Sequence, residues 1–282
     1  MFSWFGSGKI ISRHFCVSKR LCKKSPKVFR HGGVERKGYS NGSKSQVKEG
    51  KGQSLKDAIK FRQLVGSLIY LIITRPEICY SVGVVSQFMH SPTTSHLDAA
   101  KRILRYVKGS LSHGLWYKRC AIFLLTVFTD ANWAGDSNDR RSTSGYCFSA
   151  GSAVVSWCNK KQDVVALSTT EAEYIATTMA AQECIWLKRL IKDMSHKVDY
   201  AMQIKCDNES AIKLASNPIF HARTKHIEIL HHFVREKVLS KEIELTIVRI
   251  NTQVADIFTK ALEKSKFQYF RDALELLIVS LH

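Results

Sequence analysis

The stretch Phe128-Thr129-Asp130-Ala131-Asn132-Trp133-Ala134-Gly135 decides the fold of this chain. The apolar run before it, residues 121–128, is typical of a buried strand, and it ends at a Thr-Asp step followed by small and turn-forming residues. We therefore expect Asp130 to lie just past the end of a strand. A catalytic or metal-binding acid is best held on such a rigid element. Taken alone, Asp130 is better explained as a strand cap or the first residue of a turn.

The net charge points to a polyanionic partner. The 282-residue chain carries a formal charge of +19, and residues 1–50 contribute twelve Lys and Arg against two Glu. Such an excess favours nucleic acid over a membrane surface. The longest apolar stretch, residues 64–74, is too short to span a bilayer and stops at Arg75-Pro76, so no membrane partner is expected.

Residues 1–53 form a basic leader that we expect to be disordered, because few apolar residues recur in it at a regular spacing. It is either a solvated tail or a nucleic-acid-binding arm. Its composition resembles a mitochondrial transit peptide. Eight scattered cysteines without a Cys-x-x-Cys pair favour free thiols in a reducing compartment. We expect an intracellular protein of the cytoplasm or nucleus, with mitochondrial targeting as a weaker alternative.

The remaining chain divides into a helical region, residues 54–118, an α/β domain, residues 119–264, and a C-terminal tail, residues 265–282. In the α/β domain the order of predicted elements favours a mixed sheet with helices on its faces. The expected helices of the helical region begin near residue 61 and then span 77–89 and 94–108. The expected strands span 121–128, 145–150, 153–159, 203–206 and 244–250, and the expected helices start at Ser168 and then span 184–194, 209–215, 226–239 and 254–262.

Four acids occupy related places in this pattern. Asp130 and Asp207 each follow a predicted strand, and Glu173 and Asp256 lie near helix starts. Such positions can meet at one edge of a sheet, where four carboxylates repel one another unless cations lie among them. Hard oxygen ligands suit Mg²⁺ or Mn²⁺, and two such ions can support phosphodiester cleavage. The absence of Cys and His at metal-ligand spacing argues against zinc.

Several motifs over residues 61–262 resemble the C-terminal part of a Copia-type retrotransposon Pol polyprotein, the end of the reverse transcriptase followed by its RNase H domain. Those similar to the closing helices of the polymerase are Phe61-Arg62-Gln63-Leu64-Val65-Gly66-Ser67-Leu68, Thr74-Arg75-Pro76-Glu77-Ile78 and Ala99-Ala100-Lys101-Arg102-Ile103-Leu104-Arg105-Tyr106. Those similar to the RNase H domain are Asp139-Arg140-Arg141-Ser142-Thr143-Ser144-Gly145-Tyr146, Ser168-Thr169-Thr170-Glu171-Ala172-Glu173-Tyr174, Arg223-Thr224-Lys225-His226-Ile227 and Val254-Ala255-Asp256-Ile257-Phe258-Thr259-Lys260.

The resemblance implies an α/β fold, an RNase H-like mixed five-stranded sheet flanked by helices, preceded by a helical reverse-transcriptase remnant. It implies that Asp130, Glu173, Asp207 and Asp256 are catalytic ligands of two Mg²⁺ or Mn²⁺ ions, with Glu171 as a capping residue. The implied activity is hydrolysis of the RNA strand of an RNA–DNA hybrid, which such enzymes read through 2′-hydroxyls and shape. The polymerase palm lies outside the resemblance, so reverse transcription is not expected.

Basic residues near the acids are the candidates for nucleic-acid contact. They are Arg140, Arg141, Lys160, Lys161, Arg223, Lys225 and His226. Each has the alternative of being an ordinary surface side chain, and the nucleic-acid interpretation depends on closeness to the acids.

Two departures from the family pattern bear on activity. Asn132 stands where family members usually carry a second Asp, and the loop at residues 249–253 is about two residues shorter than usual. We expect the short loop to endanger the placement of Asp256, and an error of about 1 Å can cost on the order of a hundredfold in rate.

The alternative function is a catalytically inactive nucleic-acid-binding remnant of a truncated element, and a third is a host-recruited interaction protein. The leader does not resemble the polymerase segment expected upstream of residue 54. We hypothesise that the element copy is truncated and that the leader is read in a shifted frame.

Overall fold

The computed structural model describes residues 52–118, 121–194, 198–216 and 225–278. The predicted leader therefore lies almost wholly outside the described residues. The described residues group into two compact units, one up to Ala121 together with the residues from Ala261 onward, and the other from Ile122 to Lys260. We call them the helical unit and the sheet unit.

The elements follow one another along the described chain with short connections. In order they are helix α1 (Ala58–Leu71), a 3-10 turn (Pro76–Ile78), α2 (Cys79–Ser86), α3 (Thr94–Gly109), strand β1 (His113–Leu115), β2 (Leu125–Asn132), β3 (Thr143–Ala150), β4 (Val154–Lys161), α4 (Thr169–Asp193), β5 (Met202–Cys206), α5 (Glu209–Ser216), α6 (Lys225–Leu239), β6 (Ile243–Ile247), a 3-10 turn (Ile250–Thr252), α7 (Asp256–Thr259), α8 (Lys264–Ala273) and β7 (Leu276–Ile278).

The helical unit buries the apolar residues that recur at helical spacing. In α1 the buried positions are Phe61, Val65, Leu68 and Leu71. Helix α3 begins with a capping box between Thr93 and the side chain of residue 96, which satisfies backbone groups that a helix start leaves unpaired.

Residues 265–282, expected as a tail, include most of α8 and all of β7. Phe267 and Phe270 of α8 are buried, and β7 pairs antiparallel with β1, joining Leu115 to Leu276. The two strands have three residues each, which is too short for an alternating pattern to stand out in the sequence.

The sheet unit contains a five-stranded sheet in the order β4-β3-β2-β5-β6. The β2–β3 and β3–β4 pairs are antiparallel, and the β2–β5 and β5–β6 pairs are parallel. Parallel neighbours need a crossover connection, and the one from β2 to β5 runs through β3, β4 and α4. The predicted α/β class, with a mixed five-stranded sheet and helices, is confirmed.

Strand β2 is displaced from its predicted position. It begins at Leu125, and Ile122, Phe123 and Leu124 are 88%, 41% and 53% exposed. Pairing with β3 continues to Asn132, so Asp130 lies within the strand and not past its end. The prediction followed apolar side chains, whereas the ladder is built from backbone hydrogen bonds that polar residues make equally well.

Three other predicted boundaries were wrong. The two helices expected after Ser168 are one helix, α4, because the small residues Ala180 and Ala181 are buried against the sheet and do not form a break. Strand β6 ends at Ile247, before a 3-10 turn. The last predicted helix is reduced to the four residues of α7.

The core of the sheet unit lies between the sheet and α4, and it continues onto α5 and α6. It includes Val127, Phe148 and Ile204 from the strands and Tyr174 and Cys184 from α4. Within the described ranges, none of the helices combines the length and the apolar character needed to cross a bilayer.

Candidate active site

Four elements of the sheet unit bring carboxylates together. Asp130 comes from β2 and Asp207 directly follows β5, and the register joins Phe128 to Lys205, so the two acids hold matching places on parallel neighbours. Helices α4 and α7 add Glu173 and Asp256. Ligand atoms of Asp130, Asp207 and Asp256 lie within 4.8 Å of one another, as do those of Glu173, Cys206 and Asp207. The structure thus unites all four predicted acids, with Asp207 in both groups.

Glu173 is oriented by two hydrogen bonds. Its Oε1 accepts from the Ala131 N–H at 3.1 Å, and its Oε2 accepts from the Cys206 thiol at 3.8 Å. The residue is 6% exposed. Glu171 instead accepts from the Leu167 N–H at 3.0 Å, at the start of α4. The structure therefore places Glu173 in the acidic cluster and Glu171 at the helix cap.

A buried glutamine holds the short loop before Asp256. Gln253 is fully buried, and its Nε2 donates to the Thr129 carbonyl at 2.8 Å. Its Oε1 accepts from the Ala255 N–H at 3.3 Å. The loop at residues 249–253, which was expected to endanger the placement of Asp256, is thereby tied to the strand that carries Asp130. Asp256 lies with the other acids, and Gln253 was not singled out from the sequence.

A glycine in β3 makes room for α7. A Cβ at Gly145 would lie 2.7 Å from Thr259 Cγ2 and 2.8 Å from Phe258 Cβ. Gly145 also pairs with Asp130 across the sheet. The Asn159 side chain of β4 donates to the Phe258 carbonyl. The short helix that carries Asp256 therefore packs directly on the sheet.

Two residues that sequence analysis did not assign to the site contact the acids. Lys260 Nζ lies 2.8 Å from Asp256 Oδ1 and 3.5 Å from Asp130 Oδ1. The Thr259 hydroxyl donates to Asp130 Oδ2. Both residues belong to the motif at 254–260, and Lys260 is four positions after Asp256, the spacing that places side chains together on one helix face. That spacing is the signal in the sequence that could have identified Lys260 as a residue of the site.

Burial and mutual repulsion dominate the electrostatics of the cluster. Burial raises the pKa of Asp130. The positive charge of Lys260 partly offsets this rise, and the negative charge of Asp256 adds to it. Burial also raises the pKa of Glu173, and the charges of Asp130 and Asp207 add to the effect. For Lys260, burial lowers the ammonium pKa, but Asp130 and Asp256 outweigh burial and the net shift is upward. A cation placed among these carboxylates would relieve their mutual repulsion.

The donor set fits a hard divalent cation. The carboxylate oxygens converge from rigid elements, and oxygen ligands are those that Mg²⁺ and Mn²⁺ prefer. Cys206 adds a sulfur beside Glu173, but burial, followed by the Glu173 charge, raises the pKa of its thiol. In the metal-free protein the protonated thiol is therefore a hydrogen-bond donor to Glu173.

Three of the predicted basic residues are in ion pairs. Arg141 is one of them, with its Nε 3.7 Å from Asp139 Oδ2. Lys161 Nζ lies 2.5 Å from Asp136 Oδ2 and 2.8 Å from Asp139 Oδ2, so its charge is largely neutralised. Lys160 Nζ lies 3.6 Å from Asp163 Oδ2, and both of these side chains are exposed. Exposed pairs of this kind contribute little energy, so Lys160 is available to a phosphate.

The predicted basic residues outside β4 fall in two places. Arg140 and Arg141 are exposed in the β2–β3 loop, where Arg140 has a left-handed φ of 58°. Lys225 and His226 begin α6, but their side chains are outside the described residues, and Arg223 is outside them altogether. Nucleic-acid contact by these residues stays a prediction.

Comparison with known proteins identifies the family. No protein-family model matches the chain. Over 219 residues, 78% of the chain, it is 43% identical to the retrovirus-related Pol polyprotein from transposon RE1 of Arabidopsis thaliana. Over 216 residues, 76% of the chain, it is 40% identical to that from transposon TNT 1-94 of Nicotiana tabacum. The chain belongs to the Pol polyproteins of Copia-type retrotransposons. The predicted family is confirmed.

This Pol segment spans 15% of the length of the RE1 relative and 16% of that of TNT 1-94. Among solved structures, a similar one is LC11-RNase H1 in complex with an RNA/DNA hybrid. That match has a TM-score of 0.36 and 11% identity, and it covers 48% of the Pol segment and 93% of the solved chain.

Proposed function

We propose that the sheet unit of this Pol segment hydrolyses the RNA strand of RNA–DNA hybrids with the help of divalent metal ions. The observation that carries the proposal is the convergence of Asp130, Glu173, Asp207 and Asp256 from four separate elements. Structural stability gives no reason to gather four carboxylates in one place, because buried like charges are costly. Membership of the Pol family supports the same interpretation.

The four acids would hold the ions. When bound, two Mg²⁺ or Mn²⁺ ions supply an activated water and stabilise the leaving oxygen of a phosphodiester. The chain supplies orientation: the Ala131 N–H and the Cys206 thiol fix Glu173, and Gln253 ties the Asp256 loop to β2. These contacts limit the freedom of the ligands before any ion binds.

The placement of basic residues supports a polyanionic substrate. Asn132, Thr143 and Lys161 pair across β2, β3 and β4, two positions beyond the row that contains Asp130. Lys160 and the loop with Arg140 therefore lie at the end of the sheet toward which the acids are displaced. A phosphate backbone bound there would pass near the carboxylates.

A cleavage assay tests the proposal. A labelled RNA–DNA hybrid is incubated with the Pol segment and Mg²⁺, and duplex RNA and duplex DNA serve as alternative substrates. We expect cleavage of the hybrid only, and a loss of about a hundredfold or more in Asp130→Asn, because a metal ligand is removed. Asp98→Asn is the control, since Asp98 is an exposed residue of α3.

A second function is favoured by one observation. Lys260 already pairs with Asp130 and Asp256, so part of the acidic charge is neutralised within the chain. For a catalytically inactive nucleic-acid-binding protein, this internal neutralisation would be sufficient, and no divalent ion would be required. Binding that weakens with salt, without any product from the hybrid, would support that function and contradict hydrolysis.

A further inference from the structure

We infer that Lys260 occupies one cation position among the four carboxylates and competes with a divalent ion for Asp130 and Asp256. The inference deepens the proposed function, because the competing ion is the one that the proposed hydrolysis requires. It makes the two groups of ligands unequal, because the ammonium lies within 3.5 Å of carboxylate oxygens of Asp130 and Asp256, which belong to one of them.

The contacts of Lys260 define the position. Its Nζ lies 2.8 Å from Asp256 Oδ1 and 3.5 Å from Asp130 Oδ1, and both acids belong to the group that Asp207 completes. Asp130 and Asp256 have side chains that are 2% and 0% exposed. The ammonium is thus the counter-charge of two buried carboxylates.

A lysine ammonium resembles a metal ion in the respects that matter here. It is a compact point charge with donors that can face several oxygens at once. A divalent ion bound to Asp130 and Asp256 would lie within a few ångströms of Nζ, where like charges in a partly buried site repel strongly. Binding there therefore requires Nζ to move away.

The lysine can leave without unfolding the site. Its side chain is 35% exposed, so solvent borders it, and its four-carbon stem is flexible. The backbone N–H of Lys260 donates to the Asp256 carbonyl at 3.2 Å, and that bond does not depend on where Nζ lies. Displacement of Nζ is therefore a side-chain movement.

Among the described residues, Lys260 forms ion pairs with Asp130 and Asp256, which share one group with Asp207. The other group consists of Glu173, Cys206 and Asp207. A first ion entering beside Glu173 and Asp207 does not have to replace the ammonium, whereas a second ion beside Asp130 and Asp256 does. The wild-type protein should then bind two divalent ions with unequal affinity.

Ion titration without nucleic acid is the test. Free Mn²⁺ is measured by its electron paramagnetic resonance signal as the Pol segment is titrated at fixed ionic strength, and Mg²⁺ is followed by calorimetry. We expect the weaker step to tighten by about tenfold or more in Lys260→Met, because a nearby positive charge is removed. Lys260→Arg, which keeps the charge, should retain the weak step.

Lys237→Met is a matched control. Lys237 also lies between two carboxylates, 3.1 Å from Glu236 Oε1 and 3.1 Å from Glu242 Oε1, but outside the acidic cluster. Its removal takes the same charge from the sheet unit and should leave both Mn²⁺ affinities unchanged. Equal or weaker Mn²⁺ binding in Lys260→Met, relative to wild type, would overturn the inference.

A measurement on the wild-type chain covers the case in which Lys260→Met does not fold. In protein with ¹⁵N-labelled lysine, the Lys260 Nζ resonance, assigned through Lys260→Arg, should shift when Mg²⁺ saturates the site. An unchanged resonance at Mg²⁺ saturation would contradict the displacement of Lys260 Nζ. The titrations are independent of cleavage: tighter binding in Lys260→Met without hybrid cleavage keeps the inference and refutes hydrolysis, and the reverse result refutes the inference alone.

Discussion

Burial of Asp130 and Glu173 ties the stability of the sheet unit to protons and cations. Both carboxyls have raised pKa values, first because burial disfavours their charged forms and then because the neighbouring acids repel them. The folded protein therefore holds protons at these sites more tightly than the unfolded chain does. A divalent ion removes the same repulsion without a proton.

The metal-free protein should lose thermal stability as the pH rises. The stabilising contribution of Asp130 and Glu173 is complete below the ordinary carboxyl pKa of about 4 and is lost as the pH passes through the raised folded-state values. We expect the melting temperature in EDTA to fall as the pH rises from about 4 through the raised folded-state pKa values. Saturating Mg²⁺ should remove most of this fall. Thermal melts at a series of pH values measure both effects.

The double variant Asp130→Asn, Glu173→Gln provides the comparison for these melts. It has no titrating carboxyl at either position, so its melting temperature in EDTA should depend less on pH. A wild-type melting temperature that rises with pH in EDTA would contradict the assignment of the raised pKa values to these two residues.

The sequence predicted the acids better than the groups that position them. Asp130, Glu173 and Asp256 stand in recognisable motifs, Asp207 follows a predicted strand, and the structure brings the four acids together. Gln253 and Cys206 gave no such signal, because a buried amide hydrogen bond or a thiol beside a carboxylate depends on residues far away in sequence. Gln253, for example, donates to Thr129.

At the level of elements, the site depends on how closely α7 approaches β3. Gly145 lies where a methyl group would meet Thr259 and Phe258 at less than 3 Å. Real Cβ atoms do not tolerate such distances, so the four-residue helix would have to move. Asp256, the first residue of α7, would move with it.

We expect Gly145→Ala to destabilise the sheet unit by about 1–3 kcal/mol, the usual cost of overpacking, and to weaken Mg²⁺ binding. Gly66→Ala is the matched control. A Cβ at Gly66 in α1 meets nothing within 4 Å, and replacing a helical glycine by alanine stabilises by about 0.5–1 kcal/mol. Urea unfolding and Mg²⁺ calorimetry on both variants give the comparison, and equal Mg²⁺ affinity in Gly145→Ala and wild type would show that α7 tolerates the methyl group.

The elements show which part of a fold sequence patterns can predict. Long amphipathic segments were found close to their positions, such as α1 with its buried Phe61 and Val65. Strand β2 was displaced because its second half is polar, and α4 was divided because alanines break an apolar pattern without breaking a helix. Backbone pairing and tertiary packing decide these boundaries, and neither can be read from a short stretch of sequence considered by itself.

At the scale of the whole molecule, the charge of +19 predicts binding that depends strongly on salt. The structure separates basic residues that are committed to carboxylates from those that are available. Lys161 is held by Asp136 and Asp139, whereas Arg140 and Lys160 are exposed. The proposed hybrid contacts should therefore come from the second kind.

The double variant Arg140→Ala, Lys160→Ala should bind the hybrid more weakly and with a smaller salt dependence. Each lost phosphate contact lowers the slope of log affinity against log salt by about 0.9, so the slope should fall by about 2. Fluorescence anisotropy at several salt concentrations measures it. Lys192→Ala, Lys213→Ala, at exposed positions of α4 and α5, is the control, and an equal fall in both double variants would contradict a localised contact.

The pairing of β1 with β7 has a consequence for the order of events during translation. The sheet unit is inserted between these two strands, so β1 leaves the ribosome before any residue of β2–β6, and its partner β7 is synthesised only after them. The nascent helical unit is completed last, after the inserted strands have been synthesised. Until then β1 presents an open edge, the kind of surface that chaperones shield and that neighbouring nascent chains can capture.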